Sequence, residues 1–292
     1  MSARTKRRVI TSAVGSLGRR GGAALAGMLV GGLAALTGAK RVKEPWETGQ
    51  PAALVLDAPE WPASFPLDAE HLSRIDQSPD TRFYAEPRLV QHIDEGAIAT
   101  LGRHYAEVLP KGGTILDLMS SWTSHLATGR GQQRSDGYFG RVSAVGMHEA
   151  ELGQNPALHD YHVHDLNAQP HLSMYPDGTF DAVFCSVSVD YLADPLPVFR
   201  EIHRVLKPGG LALFTWSNRM FPTKAIKAWR EASEPARLWI CGCYFHYSVA
   251  DGWTAPAGVD LSPNPGRSDP VYAVSARKVA STSGPSEPKP EL

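Results

Sequence analysis

The sequence predicts an α/β protein built on a doubly wound, mostly parallel sheet, and three observations carry that reading. First, FDAVFCSVSVDYLADPLPVFREIHRVLKPGGLALF, from Phe180 to Phe214, reads as strand, loop, helix, glycine turn and strand. Second, short apolar runs at 114–118, 141–146 and 161–164 alternate with stretches of helical spacing, the pattern of successive βαβ units. Third, the boundaries carry the chemistry that ends elements: Pro110-Lys111-Gly112-Gly113 before the first strand and Lys207-Pro208-Gly209-Gly210 before the fifth.

Taken in order, residues 87–109 place Leu89, Ile93, Ile98, Leu101, Tyr105 and Val108 at helical intervals, predicting one or two helices ahead of the sheet. The first strand then covers 114–118 and the second 141–146, with a helix over 149–154 and a third strand over 161–164. Residues 181–186 form the buried fourth strand. Asp194 followed by Pro195 is an N-cap with proline at the first helical position. Val198, Phe199, Ile202, Val205 and Leu206 fall on one helix face, and 211–216 resumes a buried strand. Helices follow at 222–232 and 235–245, and 259–261 with 271–277 reads as a closing hairpin. Residues 129–140 (GRGQQRSDGYFG) are polar and glycine-rich, a surface insertion, and 280–292 is a Ser/Pro/Glu-rich tail with the composition of disorder.

The flanks divide the chain into a presequence, an arm and a domain. Residues 1–43 hold nine Lys/Arg and no acid, rich in Ser and Thr, with an Ala/Gly/Leu run at 21–39 behind Arg19-Arg20. That composition is an organelle targeting presequence, in two parts if the run is a second signal. It predicts a chloroplast location, thylakoid-associated or lumenal through 21–39, with a mitochondrion as the alternative. Residues 44–80 carry six prolines and no periodicity, a linker or an arm lying on the domain surface. The domain proper is 81–279. Without 1–43, the net charge of −1 becomes 20 basic against 30 acidic residues, so no basic footprint for nucleic acid accompanies the fold. Three cysteines close no disulfide framework. Cys241-x-Cys243-x-x-His246 has donor types a metal accepts, but it lies on one helix without a second ligand cluster, so no metal site is expected. No G-x-G-x-x-G follows a strand, against a nicotinamide dehydrogenase. The sequence leaves the oligomeric state open.

Phe180-Asp181-Ala182-Val183, Asp194-Pro195 and the run from Glu201 to Gly210 stand in one order and spacing. In these the chain resembles the class I S-adenosylmethionine (SAM)-dependent methyltransferases of the type 11 group, over about 82–278. The resemblance implies a Rossmann-like seven-stranded sheet whose last hairpin places an antiparallel strand within it. It implies SAM as cofactor and a small-molecule or lipid methyl acceptor. The family's first loop is D-x-G-x-G. Here Asp117 supplies the acid for the methionine ammonium, while Met119 and Ser121 replace both glycines. Ser120, Ser121 and Ser124 supply hydroxyls in compensation, and Leu116 to Trp122 (LDLMSSW) resembles a plant, algal and cyanobacterial subgroup. His148 stands where the family has its ribose-binding acid, with Glu149 or Glu151 as substitutes. By the same alignment Asp165 meets the adenine amino group, Leu166 makes the neighbouring backbone contact, and Ser186 borders the methionine moiety. Asp190 is the candidate general base or substrate-orienting group, beside Tyr191.

Two functional readings therefore stand. One is a SAM-dependent methyltransferase. The other is a non-catalytic binding or assembly protein that kept the sheet and lost the cofactor loop.

Overall fold

The structure is a computed structural model that describes residues 56, 59–126 and 138–280. The presequence, the residues 129–137 of the expected insertion and the tail beyond 280 lie outside the described residues. One sheet of seven strands organises the domain, in the order β3-β2-β1-β4-β5-β7-β6. Strands β1 (Thr114–Ser120), β2 (Arg141–Gly146), β3 (Asp160–Val163), β4 (Phe180–Ser186) and β5 (Leu206–Trp216) are parallel. Strands β6 (Ala257–Asp260) and β7 (Tyr272–Arg277) close it, with β7 antiparallel between β5 and β6. This is the expected Rossmann-like arrangement with a terminal antiparallel strand.

Helices α1 (Asp80–Phe83), α2 (Glu95–Val108), α3 (Glu149–Leu152), α4 (Pro195–Val205), α5 (Lys227–Glu231) and α6 (Glu234–Ser248) cover both faces. Alternation along the strands assigns each side chain to a face. Ile115, Ala182, Phe184, Leu211 and Leu213 bury against Ala97, Leu101 and Tyr105 of α2. Leu116, Leu118, Val183, Cys185, Ala212 and Phe214 bury on the other side against α4 and α6. There Phe199 of α4 stacks on Phe214 at 4.6 Å between centroids. Asp117 shares the α2 face with Ile115, so a carboxylate is carried into the core at the carboxyl end of β1.

Several boundaries differ from the sequence expectation. The helix expected over 87–109 begins only at Glu95, where the Asp94 carboxylate accepts from Ala97 N; Leu89 and Val90 lie exposed in irregular chain before it. The helix stop at Lys207-Pro208-Gly209-Gly210 is already part of β5, as a bulge. Phe180 pairs with Leu206 and Ala182 with Leu211, so four residues loop out opposite Asp181, with Gly209 at φ 77°. The helix expected over 222–232 is confined to Lys227–Glu231, because residues 221–225 turn back to hydrogen-bond among themselves.

Within 44–80, the described residues pack on the domain. Leu56 and Leu67 are buried, and Trp61 stacks on His246 at 4.8 Å. Asp76 N donates to Thr223 O, Lys227 N to Ser73 O and Ala228 N to His71 O, which fastens the segment to the α5 region. An ion cluster finishes the attachment. The fully buried Lys224 ammonium lies 3.1 Å from Asp80 Oδ1 and 3.2 Å from Asp76 Oδ2, and Arg74 meets Asp80 at 2.7 Å. Removing one member of a buried ion cluster strands the other charge, which costs about 3–5 kcal/mol. Asp80→Ala is therefore expected to lower the unfolding free energy by that order in a urea titration. A change under about 1 kcal/mol would show that the cluster does not hold the arm.

Candidate functional site

In an open α/β sheet, ligands bind beyond the carboxyl ends of the strands where the strand order reverses. That point lies between β1 and β4, and a cavity of about 290 Å³ opens there. It is close to the lower end of the range for small-molecule sites, roughly 300–1,000 Å³.

The loop after β1 forms the deepest wall. Asp117 is buried, and its Oδ2 accepts from Ser120 Oγ at 2.6 Å and Ser124 Oγ at 2.5 Å. Burial pushes its carboxyl up to about 7, against those two hydroxyls, which pull it down. Oδ1 carries no hydrogen bond among the described residues, and Asp117 lines the cavity. The network continues outward. Asn155 Nδ2 donates to Ser124 Oγ and to Ser121 O, at 2.8 and 2.9 Å. Ser121 Oγ donates to Glu151 Oε2 at 2.6 Å, and Glu151 Oε1 accepts from Arg88 N at 2.7 Å.

Met119, in the place of the first expected glycine, sits at φ 58°. A side chain there costs roughly 1–2 kcal/mol relative to glycine, so the loop takes the left-handed conformation against its Cβ. The same strain recurs around the cavity. Four described residues other than glycine have positive φ, and three of them, Met119, His125 (53°) and Val187 (53°), line it. Residues held in such conformations concentrate at functional sites. Val187, β-branched, is the least suited of the three.

At the end of β2, Gly146 passes so close to the first loop that a Cβ would lie 2.2 Å from Ser120 O. His148 does not reach the cavity wall. Its Nδ1 accepts from Ala150 N at 3.2 Å as the N-cap of α3, so the ring is held at the helix start. The acid on the wall at this strand end is Glu151, one turn further on, and Glu149 is exposed.

After β3, Asp165 and Leu166 both line the cavity. Asp165 Oδ1 accepts from Asn167 N and Ala168 N at 2.9 and 3.1 Å, so one oxygen fixes the turn. At the end of β4, Ser186 lines the cavity, its Oγ 2.9 Å from Tyr105 Oη. Cys185 lies behind it, fully buried.

Asp190 is the clear departure from expectation. It is buried in the short 3-10 turn Val189–Tyr191 and is not on the cavity wall. Its Oδ2 has no hydrogen-bond partner among the described residues, and burial pushes its carboxyl up to about 8 despite the charge of Arg237. It cannot touch a group bound in the cavity, because the turn directs Tyr191 and Ser188 there instead. Cys241 and Cys243 are buried in α6, and His246 is spent on Trp61.

A further part of the wall is invisible in the sequence. Tyr84, Arg88 and His92 come from the chain before α2, and Arg219, Met220 and Phe221 from the loop after β5. Only the fold brings these two segments together, and no short motif marks either. His125 also lines the cavity with its Nδ1 buried and unpartnered among the described residues, and burial, with His92 nearby, pulls its imidazole down to about 4.

Residues 128–214 match the family described as "Methyltransferase domain". A protein of Aspergillus luteorubrus named as a methyltransferase is 35% identical over 94 residues, 30% of this chain and 29% of that protein. The ubiquinone biosynthesis O-methyltransferase of Albidiferax ferrireducens is 31% identical over 125 residues, 36% of this chain and 49% of its own length. The chain thus spans half or less of these curated relatives. The crystal structure of an S-adenosylmethionine-dependent methyltransferase from Mesorhizobium loti aligns at 18% identity and a TM-score of 0.43, covering 61% of this chain and 98% of that one.

Asp190 yields a prediction independent of any ligand. Its folded pKa of about 8 lies above its ordinary value of 3.8. Between those values the folded chain holds a proton that the unfolded chain has released. Stability is therefore lost as pH rises through that window, by at most about 1.4 kcal/mol per pH unit. Asp117 contributes in the same direction up to about 7. Asp190→Asn is expected to melt close to wild type at pH 5 and clearly higher than wild type at pH 8. Equal melting shifts at both pH values would mean that Asp190 is not a buried neutral acid.

Proposed function

We propose that this chain, which carries a methyltransferase domain match over residues 128–214, is a SAM-dependent methyltransferase. The observation that carries the reading is Asp117. A buried carboxyl with one hydroxyl-bonded oxygen and one oxygen left to a cavity at the topological switch point is a receptor for a cationic ligand. The residues fit SAM. Asp117 would hold the methionyl ammonium, with Ser186 beside the methionyl chain. Glu151 is the acid for the ribose hydroxyls, because each of its oxygens has one partner and keeps a further lone pair. Asp165 and Leu166 border the adenine end, where Asp165 has spent only Oδ1 on the turn. When bound, SAM supplies a methyl carbon activated by its sulfonium. The protein then has to grip, align and exclude water. Burial of the first loop and the aromatic residues Tyr84, Tyr191 and Phe221 on the wall serve the last of these tasks.

The non-catalytic alternative rested on the missing glycines and on His148. Met119 nevertheless adopts the left-handed conformation a glycine would, and Glu151 stands on the wall in place of His148. Both points favour the enzyme. The acceptor is a small molecule taken up on the Tyr84, Arg88 and Phe221 side. The composition of residues 1–43 supports delivery to a plastid, and a membrane-bound lipid remains the second acceptor class if 21–39 holds the chain at a thylakoid.

Calorimetry with SAM and S-adenosylhomocysteine (SAH) on the full chain tests the reading. Micromolar binding is expected. Asp117→Asn removes a charge-assisted contact worth about 1.5–3 kcal/mol and is expected to weaken it about tenfold to a hundredfold. Because the carboxyl titrates near 7, wild-type binding is also expected to tighten from pH 5.5 to 7.5, by up to about tenfold per unit at the acid end. The absence of binding at millimolar cofactor would sink the enzyme reading.

A further inference from the structure

Arg88 is a half-buried guanidinium on the cavity wall without a counter-ion among the described residues. Among the described residues one of its five N–H groups finds an acceptor, from Nη2 to Phe83 O at 2.9 Å, and the buried Nη1 has no partner. The carboxylates on this side are engaged elsewhere. Asp80 is neutralised by Arg74 and Lys224, and Glu151 meets the backbone N–H of Arg88 rather than its side chain. Arg219, the other cation on this wall, is paired with Asp269 at 2.8 Å. Tyr84 does not answer the charge either, since burial pushes its hydroxyl far above the ordinary range and keeps it neutral. The uncompensated charge is felt next door: after burial, Arg88 is the second cause that pulls the His92 imidazole down.

Aromatic rings fix the guanidinium in place. Its centre lies 4.2 Å from the Phe83 ring, 5.2 Å from Phe221 and 5.4 Å from Tyr84. Phe221 is itself stacked on Tyr191 at 5.9 Å and held by the hydrogen bond from its N–H to Tyr191 Oη at 2.8 Å. Tyr84, Tyr191 and Phe221 line the cavity with Arg88. An unpaired, partly desolvated cation set among flat apolar faces is costly in the free protein and is relieved by a planar anion. Stacking of the ligand's ring on those faces would add to the ionic contact.

We infer that this end of the cavity is the acceptor pocket and that the acceptor is an aromatic or conjugated compound bearing a carboxylate, which pairs with Arg88. The assignment of this end to the acceptor rests on the methyltransferase reading; the preference for a planar carboxylate rests on Arg88 and its rings alone.

The test compares benzoate with benzamide, flat molecules of nearly equal shape that differ in charge, by ligand-observed NMR on the free and the SAH-loaded protein. Benzoate is expected to bind at least tenfold more tightly than benzamide in both. Arg88→Met is expected to abolish that preference, Arg88→Lys to keep part of it, and both to bind SAH within twofold of wild type. Equal binding of the two probes by the wild type overturns the proposal whether or not the variants fold. So does a tenfold loss of SAH affinity in Arg88→Met, which would give the guanidinium to the cofactor's own carboxylate. A protein that takes benzoate selectively but no SAH would keep the anion site and lose the methyltransferase reading.

Discussion

A carboxyl group sits in the core at the end of the first strand, and the organisation of the site follows from the need to satisfy it. Asp117 is placed there by strand alternation, which turns positions 115 and 117 towards α2. A carboxylate so buried is costly unless donors surround it. Ser120 and Ser124 provide them, and between the acid and these donors the chain passes through the left-handed conformation at Met119. Glycine at position 119 would make the reversal more cheaply and leave both donors in place. Here the hydroxyls answer the acid, while Met119 absorbs a backbone strain of about 1–2 kcal/mol. The network then passes through Asn155, Ser121 and Glu151 to the backbone of Arg88, so the first loop, α3 and the chain ahead of α2 are braced as one unit.

The arm is the second half of that construction. Lys224 is fully buried, and its charge is met by Asp76 and Asp80 from the arm, so the loop after β5 and the arm each need the other. Asn167 joins them to the end of β3: its Nδ2 donates to Asp80 Oδ2 at 2.7 Å and to Tyr191 O at 2.9 Å, and its Oδ1 accepts from Ala193 N at 2.8 Å. Four segments distant in sequence thereby set the width of the cavity. One side presents acids suited to a cationic, hydroxyl-rich cofactor, and the other presents a cation among aromatic rings.

Much of the fold was legible because it is written in local chemistry. Asp194-Pro195 and the apolar face from Val198 to Val205 define α4 without reference to anything else, and the apolar runs of β1, β2 and β4 lie within two residues of where periodicity puts them. The Lys207-to-Gly210 bulge reads as a turn in the sequence because a glycine at φ 77° looks the same there whether or not pairing continues around it. In the site, Asp117, Ser120, Ser121, Asp165, Leu166 and Ser186 all line the cavity, since strand ends in a parallel sheet point to a common edge. His148 and Asp190 do not, for one reason: each follows a strand by a few residues, where a cap or a 3-10 turn decides the direction of the side chain. Arg88 and Phe221 were illegible because their meeting is a property of the tertiary fold, more than 130 residues apart in the chain.

In the proposed methyltransferase Asp117 is the receptor for the cofactor's ammonium, and its carboxyl carbon can be followed directly. A ¹³C NMR titration of labelled aspartate carboxyls, assigned with Asp117→Asn, should show this group titrating near 7 in the free protein. Saturation with SAH should move that midpoint down by one unit or more, because a bound ammonium favours the ionised form. A midpoint that stays in place while SAH binds would contradict the account, for the cofactor would then be held without the buried acid around which the first loop is built.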